Sequence, residues 1–346
     1  MLHNTPSKMW NLLTVEYERR RGATVLRGRP YKYIIDVCNY CNLRCPLCPT
    51  GEETLARNQR MMKLDEYLGI LEQIKPYALE VSFHNWGEST FNRDLPAMIR
   101  ATQDANVGTN LSSNWVDVKP ELIDNLIQSG LEYLVISCDG ASKETYDRYR
   151  YRGDFDRVIE NMRALVERKR RLGSATPFVE WQFLVFKHNY HEIEKGRALA
   201  EDVGVNVFRP GSAGLPIDEI ENIELAEKWL SEDPAYGRLS TYKFRERGYL
   251  VDDGCFYPFR AMTINPDGGV SPCCSVSDEK TDFGNIFKQS LADVWNNEMY
   301  RSARALFSET ADPEVHTTCD GCNIFKKSGA QYQGNKPLAL PPAKAA

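Results

Sequence analysis

Six strand-like segments alternate with five helix-like segments over the first two thirds of this chain. Short runs rich in β-branched and aromatic residues predict the strands, and apolar residues that recur every three or four positions predict the helices. Because right-handed helical crossovers join parallel strands, the alternation predicts an α/β fold with a parallel sheet. Six units are fewer than the eight that close a TIM barrel, so the barrel should be partial. The predicted strands are 31–37, 79–83, 108–112, 133–137, 178–186 and 205–209, and the predicted helices are 64–74, 95–105, 120–129, 155–172 and 190–203.

Three cysteines follow the first predicted strand with the spacing C-x3-C-x2-C, at Cys41, Cys45 and Cys48. Three thiolates at this spacing suit three corners of a [4Fe–4S] cube, which normally has four cysteine ligands. A cube held by three cysteines has one iron without a protein ligand, and a substrate can bind to that iron. Zinc is one alternative, although structural zinc sites usually pair two separated C-x2-C units. A closed cluster with Cys38 as fourth ligand is the other, but its spacing differs from the bacterial ferredoxin run. We therefore expect an open three-cysteine cluster, with Cys38 as a bystander.

Composition limits the kind of protein this can be. The net charge is −5, and the only compact basic run, 167–171, is typical of a solvated helix face, so nucleic acid is not an expected partner. No apolar stretch approaches the roughly 18 residues of a membrane span, and the N-terminus has no signal-peptide pattern. Ten cysteines in a long chain without an export signal favour metal binding in a reducing compartment. The sequence predicts a cytoplasmic metalloenzyme that does not bind membranes.

Polar residues cluster where the predicted strands end, and in parallel barrels the chemistry lies at the carboxyl ends of the strands. The segment from His84 to Glu88 follows the second strand. In the fifth strand, Glu180 and Gln182 share one face because side chains alternate. That face should point into the lumen, since helices cover the outside of a parallel barrel. The candidate catalytic groups are His84, Glu180 and Asp139.

The cysteine loop, Cys38-Asn-Tyr-Cys41-Asn-Leu-Arg-Cys45-Pro-Leu-Cys48, resembles the signature of radical S-adenosylmethionine (SAM) enzymes. The resemblance implies that the open iron chelates the amino and carboxylate groups of SAM. Reductive cleavage then gives methionine and a 5′-deoxyadenosyl radical, which abstracts hydrogen. It also implies a partial (β/α)6 barrel, in agreement with six predicted units, and a flavodoxin- or ferredoxin-type reductant. Leu47 stands where the family often has an aromatic residue beside the adenine.

Two further motifs match the same family. Gly87 and Glu88 resemble the end of its G-G-E motif, whose glutamate hydrogen-bonds the SAM amino group, while Trp86 stands in place of the first glycine. The run from Ser112 to Asn114 is similar to the family's S-T-N run near the SAM ribose.

The segment after the fourth strand carries two more matches. Ser137-Cys-Asp-Gly resembles the S-x-D-G motif, and in relatives a following arginine reaches the SAM carboxylate, which suits a forked guanidinium. Arg150 fills this place, with Arg152 as the alternative. Cys138 should point away from the lumen and pack as a small buried side chain. The predicted SAM-binding residues are Leu47, Gly87, Glu88, Ser112, Asn114, Ser137, Arg150 and Gln182.

A second set of cysteines lies near the C-terminus, at Cys255, Cys273, Cys319 and Cys322. Four thiolates can close a second [4Fe–4S] cluster, and by spacing alone zinc fits as well. Asn-Pro-Asp-Gly, which ends at Gly268 and lies between β-type residues, predicts a hairpin.

This block is similar to the SPASM/Twitch extension of radical SAM enzymes, in which a hairpin and a helix carry auxiliary clusters. The family element C-x(9–15)-G-x4-C is met by Cys255, Gly268 and Cys273, and equally well by Gly269 with Cys274. The later cysteines of a full SPASM extension are absent. We therefore expect one auxiliary [4Fe–4S] cluster.

The predicted organisation has four parts. Residues 1–30 form a leader with a short helix at 10–17, and residues 31–230 form the partial barrel. Residues 231–325 form a small α+β SPASM/Twitch-like domain, and a tail at 326–346 should be disordered.

The resemblance implies SAM cleavage followed by hydrogen abstraction from a small sugar-like or natural-product substrate. Dehydrogenation is the preferred outcome, because a cluster with four protein ligands is best suited to carry an electron. Epimerisation, decarboxylation or dehydration would use the same radical. The alternative is a maturase that modifies a ribosomal precursor peptide. A hypothesis of another class is an iron–sulfur electron-transfer protein without SAM chemistry.

Overall fold

A computed structural model describes residues 3–216, 222–233, 235–236, 255–308, 310–320 and 322. Its nine strands form one sheet in the order β6-β5-β4-β3-β2-β1-β7-β8-β9. The strands are β1 (Lys32–Ile35), β2 (Glu80–Phe83), β3 (Gly108–Ser113), β4 (Tyr133–Ser137), β5 (Phe178–Val185), β6 (Val207–Ser212), β7 (Ala261–Ile264), β8 (Gly269–Ser271) and β9 (Gly284–Asn285).

Strands β1 to β6 pair with their sequence neighbours in parallel, which confirms the predicted parallel sheet of six strands. Helices α2 to α7 belong to this part of the chain. The helices are α1 (Pro6–Arg20), α2 (Leu64–Ile74), α3 (Leu95–Asp104), α4 (Pro120–Gln128), α5 (Lys143–Tyr149), α6 (Phe155–Arg171), α7 (Ile193–Val203), α8 (Ile223–Trp229), α9 (Tyr257–Arg260), α10 (Leu291–Trp295) and α11 (Glu298–Ala305).

Local sequence explains where several helices begin and end. Thr5 caps α1 and Pro6 follows it at the first helical position, where the missing N–H costs nothing. Asp154 caps α6 by accepting a hydrogen bond from the Arg157 N–H. Helix α7 ends at Gly204, which adopts φ of 85°, a left-handed conformation that glycine tolerates well.

The two faces of the sheet differ in burial. On β5, Trp181 and Phe183 are fully buried, whereas Gln182 between them is partly exposed. The same alternation leaves Ser112 on β3 and Ser137 on β4 partly exposed. Apolar side chains therefore fill the layer under the helices, and polar side chains line the inner face.

The C-terminal hairpin continues the same sheet. Strand β7 pairs in parallel with β1, and β8 and β9 add antiparallel strands beyond it. The boundaries predicted near residues 30, 230 and 325 stay predictions, and the tail predicted at 326–346 lies outside the described residues. Within the described part of the chain, no helix is both long enough and apolar enough to cross a membrane.

The leader packs against the amino-terminal side of the sheet. Helix α1 is longer than the predicted segment 10–17. Its Glu16 accepts hydrogen bonds from Tyr31, just before β1, and from Arg260, at the end of α9. The leader thus connects the first strand with the C-terminal block.

Candidate active site

The loop with Cys41, Cys45 and Cys48 follows β1 at the carboxyl edge of the sheet. Cys45 is buried and the other two thiols are partly exposed. The Cys48 N–H donates to the Cys45 carbonyl oxygen over 3.1 Å, which turns the loop tightly. A Cβ on Gly51 would lie 2.5 Å from the backbone of Cys45, so only glycine fits beside this turn.

The donor set of this loop suits an iron–sulfur cluster. Burial raises the pKa of Cys41 to about 12 and that of Cys45 to about 11. Such thiols are protonated at neutral pH, and a bound metal centre would have to favour their ionised form. Among the described residues, no three Cys, His, Asp or Glu side chains converge as ligands of one metal ion.

The surroundings of Cys38 differ from those of the other three cysteines in the loop. It is fully buried, its thiol donates to the Tyr40 carbonyl oxygen over 3.6 Å, and it forms an isolated bridge with Met61. These contacts fit the bystander role, which stays a prediction.

Glu88 is buried behind the cysteine loop. Its Oε1 accepts hydrogen bonds from the Thr90 hydroxyl (2.7 Å) and the Ser113 hydroxyl (2.8 Å), and its Oε2 accepts one from the Asn114 N–H (2.7 Å). A carboxylate has about four acceptor positions, so Oε2 keeps capacity for a further donor. The predicted contact of Glu88 with an amino group stays a prediction that this geometry permits.

Gly87 cannot carry a side chain. A Cβ there would lie 1.8 Å from the carbonyl oxygen of Cys38, well inside van der Waals contact. The glycine therefore lets the loop after β2 lie directly against the loop after β1.

Asn114 connects Glu88 to the cysteines. Its Nδ2 lies 3.5 Å from Cys41 Sγ and 2.8 Å from Asn42 Oδ1, while its Oδ1 accepts from the Val116 N–H. All of its hydrogen-bonding groups are engaged, so its orientation at the cysteine loop is fixed.

Asp139 and Arg150 form a buried ion pair beside Cys45. Asp139 Oδ2 accepts from Arg150 Nε (2.6 Å) and Nη2 (2.5 Å), and its Oδ1 accepts from the Leu184 N–H (2.7 Å). Arg150 Nη1 lies 4.0 Å from Cys45 Sγ. Both oxygens of Asp139 are occupied, which favours a positioning role. The catalytic role predicted for Asp139 stays a prediction.

Three predicted SAM-binding side chains form a row on the inner face. Ser112 Oγ lies 3.5 Å from Ser137 Oγ, which lies 3.5 Å from Gln182 Oε1. The row spans the inner face of β3, β4 and β5. Leu47, in contrast, is buried in the hydrophobic core, so its predicted adenine contact stays a prediction.

His84 lies directly after β2. Burial lowers its pKa to about 4, so the ring is neutral at pH 7. Its Nδ1 is buried and has no hydrogen-bond partner among the described residues. A neutral imidazole with a free nitrogen can accept a proton or a hydrogen bond.

The structure does not bring Glu180 to the cysteine loop. Glu180 is the third residue of β5, and its carboxylate accepts from the Tyr133 hydroxyl (2.6 Å) and pairs with Arg209. Tyr133 is the first residue of β4, so this triad lies toward the amino-terminal ends of the strands. The geometry favours a structural role over the predicted catalytic one, because both oxygens are engaged away from the carboxyl edge.

The C-terminal cysteines lie in three segments: just before α9, just after β8 and near the end of the described chain. Burial raises the pKa of Cys255 to about 11 and that of Cys273 to about 12, and it also raises the pKa of Cys319. The Cys319 thiol also interacts electrostatically with Cys255, Cys273 and Cys322. All three other predicted ligands thus contribute to the raised pKa of Cys319, and their role as a ligand set stays a prediction.

Cys274 has a different partner. Its Sγ lies 2.7 Å from the Tyr257 hydroxyl, and neither Cys255 nor Cys273 has a comparable hydroxyl contact among the described residues. This contact favours Cys273 as the ligand, and the choice stays a prediction.

Sequence reasoning missed two buried ionisable residues that connect segments around the site. Asp36 is fully buried after β1 and accepts a hydrogen bond from the Trp86 N–H over 3.2 Å, and burial raises its pKa to about 7. Arg57 is buried between Asp267 (2.6 Å) and Asp282 (2.7 Å) of the C-terminal hairpin. A polar residue at the end of an apolar strand was a signal for Asp36, but nothing local indicated the partners of Arg57.

Both groups of cysteines lie in segments that match models of known families. The model of the Radical SAM superfamily matches residues 35–180, and the SPASM model, an iron–sulfur cluster-binding domain, matches residues 255–323. The AdoMet-dependent heme synthase of Methanosarcina barkeri (strain Fusaro) is 26% identical over 316 residues, which cover 82% of this chain and 88% of that protein. The PqqA peptide cyclase of Xanthomonas axonopodis pv. citri is 25% identical over 316 residues, which cover 85% of this chain and 80% of that protein.

A solved structure with the same fold is Streptococcus suis SuiB bound to S-adenosylmethionine. The TM-score is 0.61 at 18% sequence identity, and the match covers 91% of this chain and 75% of that one. SuiB has also been solved with its precursor peptide SuiA. The likeness extends through both the barrel and the C-terminal hairpin.

Proposed function

We propose a function for this chain from the family to which it belongs, the radical SAM superfamily, and from its iron–sulfur cluster-binding SPASM domain. The chain oxidises a small hydroxyl- or amine-bearing molecule after hydrogen abstraction. The observation that carries the proposal lies at the carboxyl edge of the sheet. Two side-chain donors, Asn114 and Arg150, approach the sulfurs of Cys41 and Cys45, and uncharged polar groups line the inner face beside them.

The residues divide between two cofactor sites. Cys41, Cys45 and Cys48 would hold the first [4Fe–4S] cluster, with SAM beside it. When bound, the cluster and SAM supply a 5′-deoxyadenosyl radical that abstracts hydrogen, and the SPASM cluster supplies an electron acceptor. The ligands proposed for the SPASM cluster are Cys255, Cys273, Cys319 and Cys322.

Arg150 is the group proposed to bind the SAM carboxylate. Asp139 takes two of its donors, which leaves Nη1 directed toward Cys45. A guanidinium held in this way is preorganised, so little side-chain entropy is lost when a carboxylate binds. Glu88 accepts a hydrogen bond from the backbone N–H of Asn114, whose side chain approaches Cys41.

The inner face suits a substrate that forms neutral hydrogen bonds. Ser112, Ser137 and Gln182 supply hydroxyl and amide groups, and His84 adds a neutral ring with an unpartnered nitrogen. Oxidation of an alcohol or amine carbon removes one hydrogen atom, one proton and one electron. We assign the proton to His84, because its Nδ1 can accept it without breaking an existing contact.

A peptide substrate is the second candidate. It is favoured by two similar proteins, the PqqA peptide cyclase and SuiB, the second of which has been solved with its precursor peptide SuiA bound. The heme synthase relative favours a small molecule instead. The two candidates differ in where the abstracted hydrogen originates.

The first experiment measures iron, sulfide and SAM cleavage in anaerobic protein and in the Cys41/Cys45/Cys48→Ala triple variant. We expect about eight irons in the wild type and about four in the variant, because each cluster carries four. Only the wild type should form 5′-deoxyadenosine with a strong reductant. If the wild type forms none, the enzyme assignment is refuted.

A second experiment separates the substrate classes. The wild type is incubated with SAM, reductant and C-deuterated polyols or amino sugars, or in parallel with C-deuterated peptides. Deuterium in 5′-deoxyadenosine from the polyol or amino-sugar set supports the proposal, and deuterium from peptides alone contradicts it. His84→Gln should still cleave SAM but form less oxidised product.

A further inference from the structure

The loop between β2 and the turn at Ser89 contacts the chain segments that carry both groups of cysteines. At its end, Glu88 accepts from the Asn114 N–H, and Asn114 Nδ2 lies 3.5 Å from Cys41 Sγ. In the middle, Gly87 lies against the carbonyl oxygen of Cys38 with no room for a Cβ. This half of the loop is therefore anchored to the first cysteine site.

The beginning of the loop is anchored to the second site. The Asn85 amide, oriented to satisfy both neighbours, donates to the Cys274 carbonyl oxygen over 3.1 Å and accepts from Trp86 Nε1 over 2.9 Å. The opposite orientation would place the amide NH2 against the indole N–H and its oxygen against the carbonyl. The indole therefore selects the orientation that binds Cys274, whose Sγ contacts Tyr257.

We propose that Trp86 and Asn85 couple the two metal sites. The indole N–H orients the Asn85 amide, the amide holds the backbone of Cys274, and the same loop continues to Gly87 and Glu88 at the SAM site. Trp86 stands where the motif it resembles has glycine, so the coupling depends on a departure from that motif. The inference rests on the two-cluster assignment and does not depend on the substrate.

The test uses electron paramagnetic resonance spectra of the reduced, fully loaded protein with and without SAM. We expect SAM to change the signal of the SPASM cluster in the wild type. Asn85→Asp keeps the size of the side chain and the acceptor for Trp86, but it cannot donate to Cys274. Trp86→Phe removes the indole N–H. Both variants should lose the SAM-induced change.

Trp10→Phe is the matched control, because Trp10 is 74% exposed on α1 and contacts neither cysteine group. It should keep the wild-type change. If Trp86→Phe fails to bind iron, Asn85→Asp decides the question. A SAM-induced change that persists in fully loaded Asn85→Asp overturns the proposal, as does its absence from wild type with two clusters. A wild type with one cluster refutes the two-cluster premise, whereas two clusters without oxidised product refute only the proposed function.

Discussion

Replacing Asp139 by Asn tests whether the buried carboxylate positions Arg150. Asp139 is fully buried and the Arg150 side chain is 13% exposed, so the pair is shielded from water. Asn keeps the volume and an oxygen for the Leu184 N–H, but it removes the negative charge and turns an NH2 group toward the guanidinium. Arg150 would then carry an uncompensated charge beside Cys45.

The burial of the pair and its contacts give the size of the expected changes in melting temperature and SAM affinity. Removing one partner of a buried ion pair costs about 3 kcal/mol or more. At about 2.1 cal/mol/K per residue, unfolding 346 residues has an entropy of about 0.7 kcal/mol/K, so the melting temperature should fall by about 4 °C. Loss of one charge-assisted hydrogen bond to the SAM carboxylate, worth about 1.5–3 kcal/mol, should weaken SAM binding about 10- to 150-fold.

The assay combines equilibrium dialysis of SAM with anaerobic thermal unfolding, both on protein with confirmed iron content. Asp147→Asn is the matched control, because Asp147 lies on α5 in an exposed pair with Lys143, and such pairs contribute about 0–1 kcal/mol. Asp139→Asn with wild-type SAM affinity would refute the positioning argument, even if the melting temperature falls. Both values unchanged would refute the importance of the pair altogether.

Three further changes test other parts of the structure. Gly87→Ala should abolish SAM cleavage and lower the iron content, because its Cβ would lie 1.8 Å from the Cys38 carbonyl oxygen. Normal iron content and cleavage would show that the loops after β1 and β2 can separate. Cys138→Ala should keep wild-type iron content and SAM cleavage, since this thiol is fully buried and donates to the Gly140 carbonyl oxygen; a loss of iron would identify it as a ligand. Glu16→Gln should destabilise the chain by up to about 3 kcal/mol at pH 7. Burial opposes ionisation, but hydrogen bonds from Arg260 and Tyr31 lower the pKa of Glu16 to about 2, so the stabilisation is present above the ordinary value of 4.5 and is lost as the pH falls toward 2. Denaturant unfolding at pH 7 and at pH 3 should therefore show a difference between wild type and Glu16→Gln that shrinks in acid, and a constant difference would contradict the ion-pair explanation.

Local patterns predicted the elements of the barrel well. The bounds predicted for β4 and α2 agree with the structure, because both segments carry a clear apolar period between polar or turn-forming residues. Helix α5 was not predicted, since its seven residues are too few to show a period and its cap, Ser142, is a common turn residue.

The candidate site was predictable only where its chemistry is local. The cysteine spacing and the pair Gly87–Glu88 identified the edge of the sheet that carries the site. The role of Glu180 could not be judged from alternation, because alternation gives the face of a strand and not the partner on the next strand. Arg209, on β6, donates a hydrogen bond to the Glu180 carboxylate, and no pattern in the sequence indicated this partner.

The pairing of β7 with β1 is the least local feature of the fold, and it places the C-terminal hairpin beside the strand that precedes the cysteine loop. A hairpin pattern shows that two strands pair with each other but not which edge they extend. Ile35 lies opposite Ile264 in this pairing, so both strands end at the same edge of the sheet. The cysteine loop leaves that edge after β1. The turn between β7 and β8 lies at the same edge, whereas Cys273 and Cys274 follow β8, which runs antiparallel to β7 and away from that edge. The loop after β2, adjacent to β1, contacts the C-terminal block through Asn85 and the Cys274 carbonyl oxygen, and this contact joins segments so distant in sequence that no local motif predicts it.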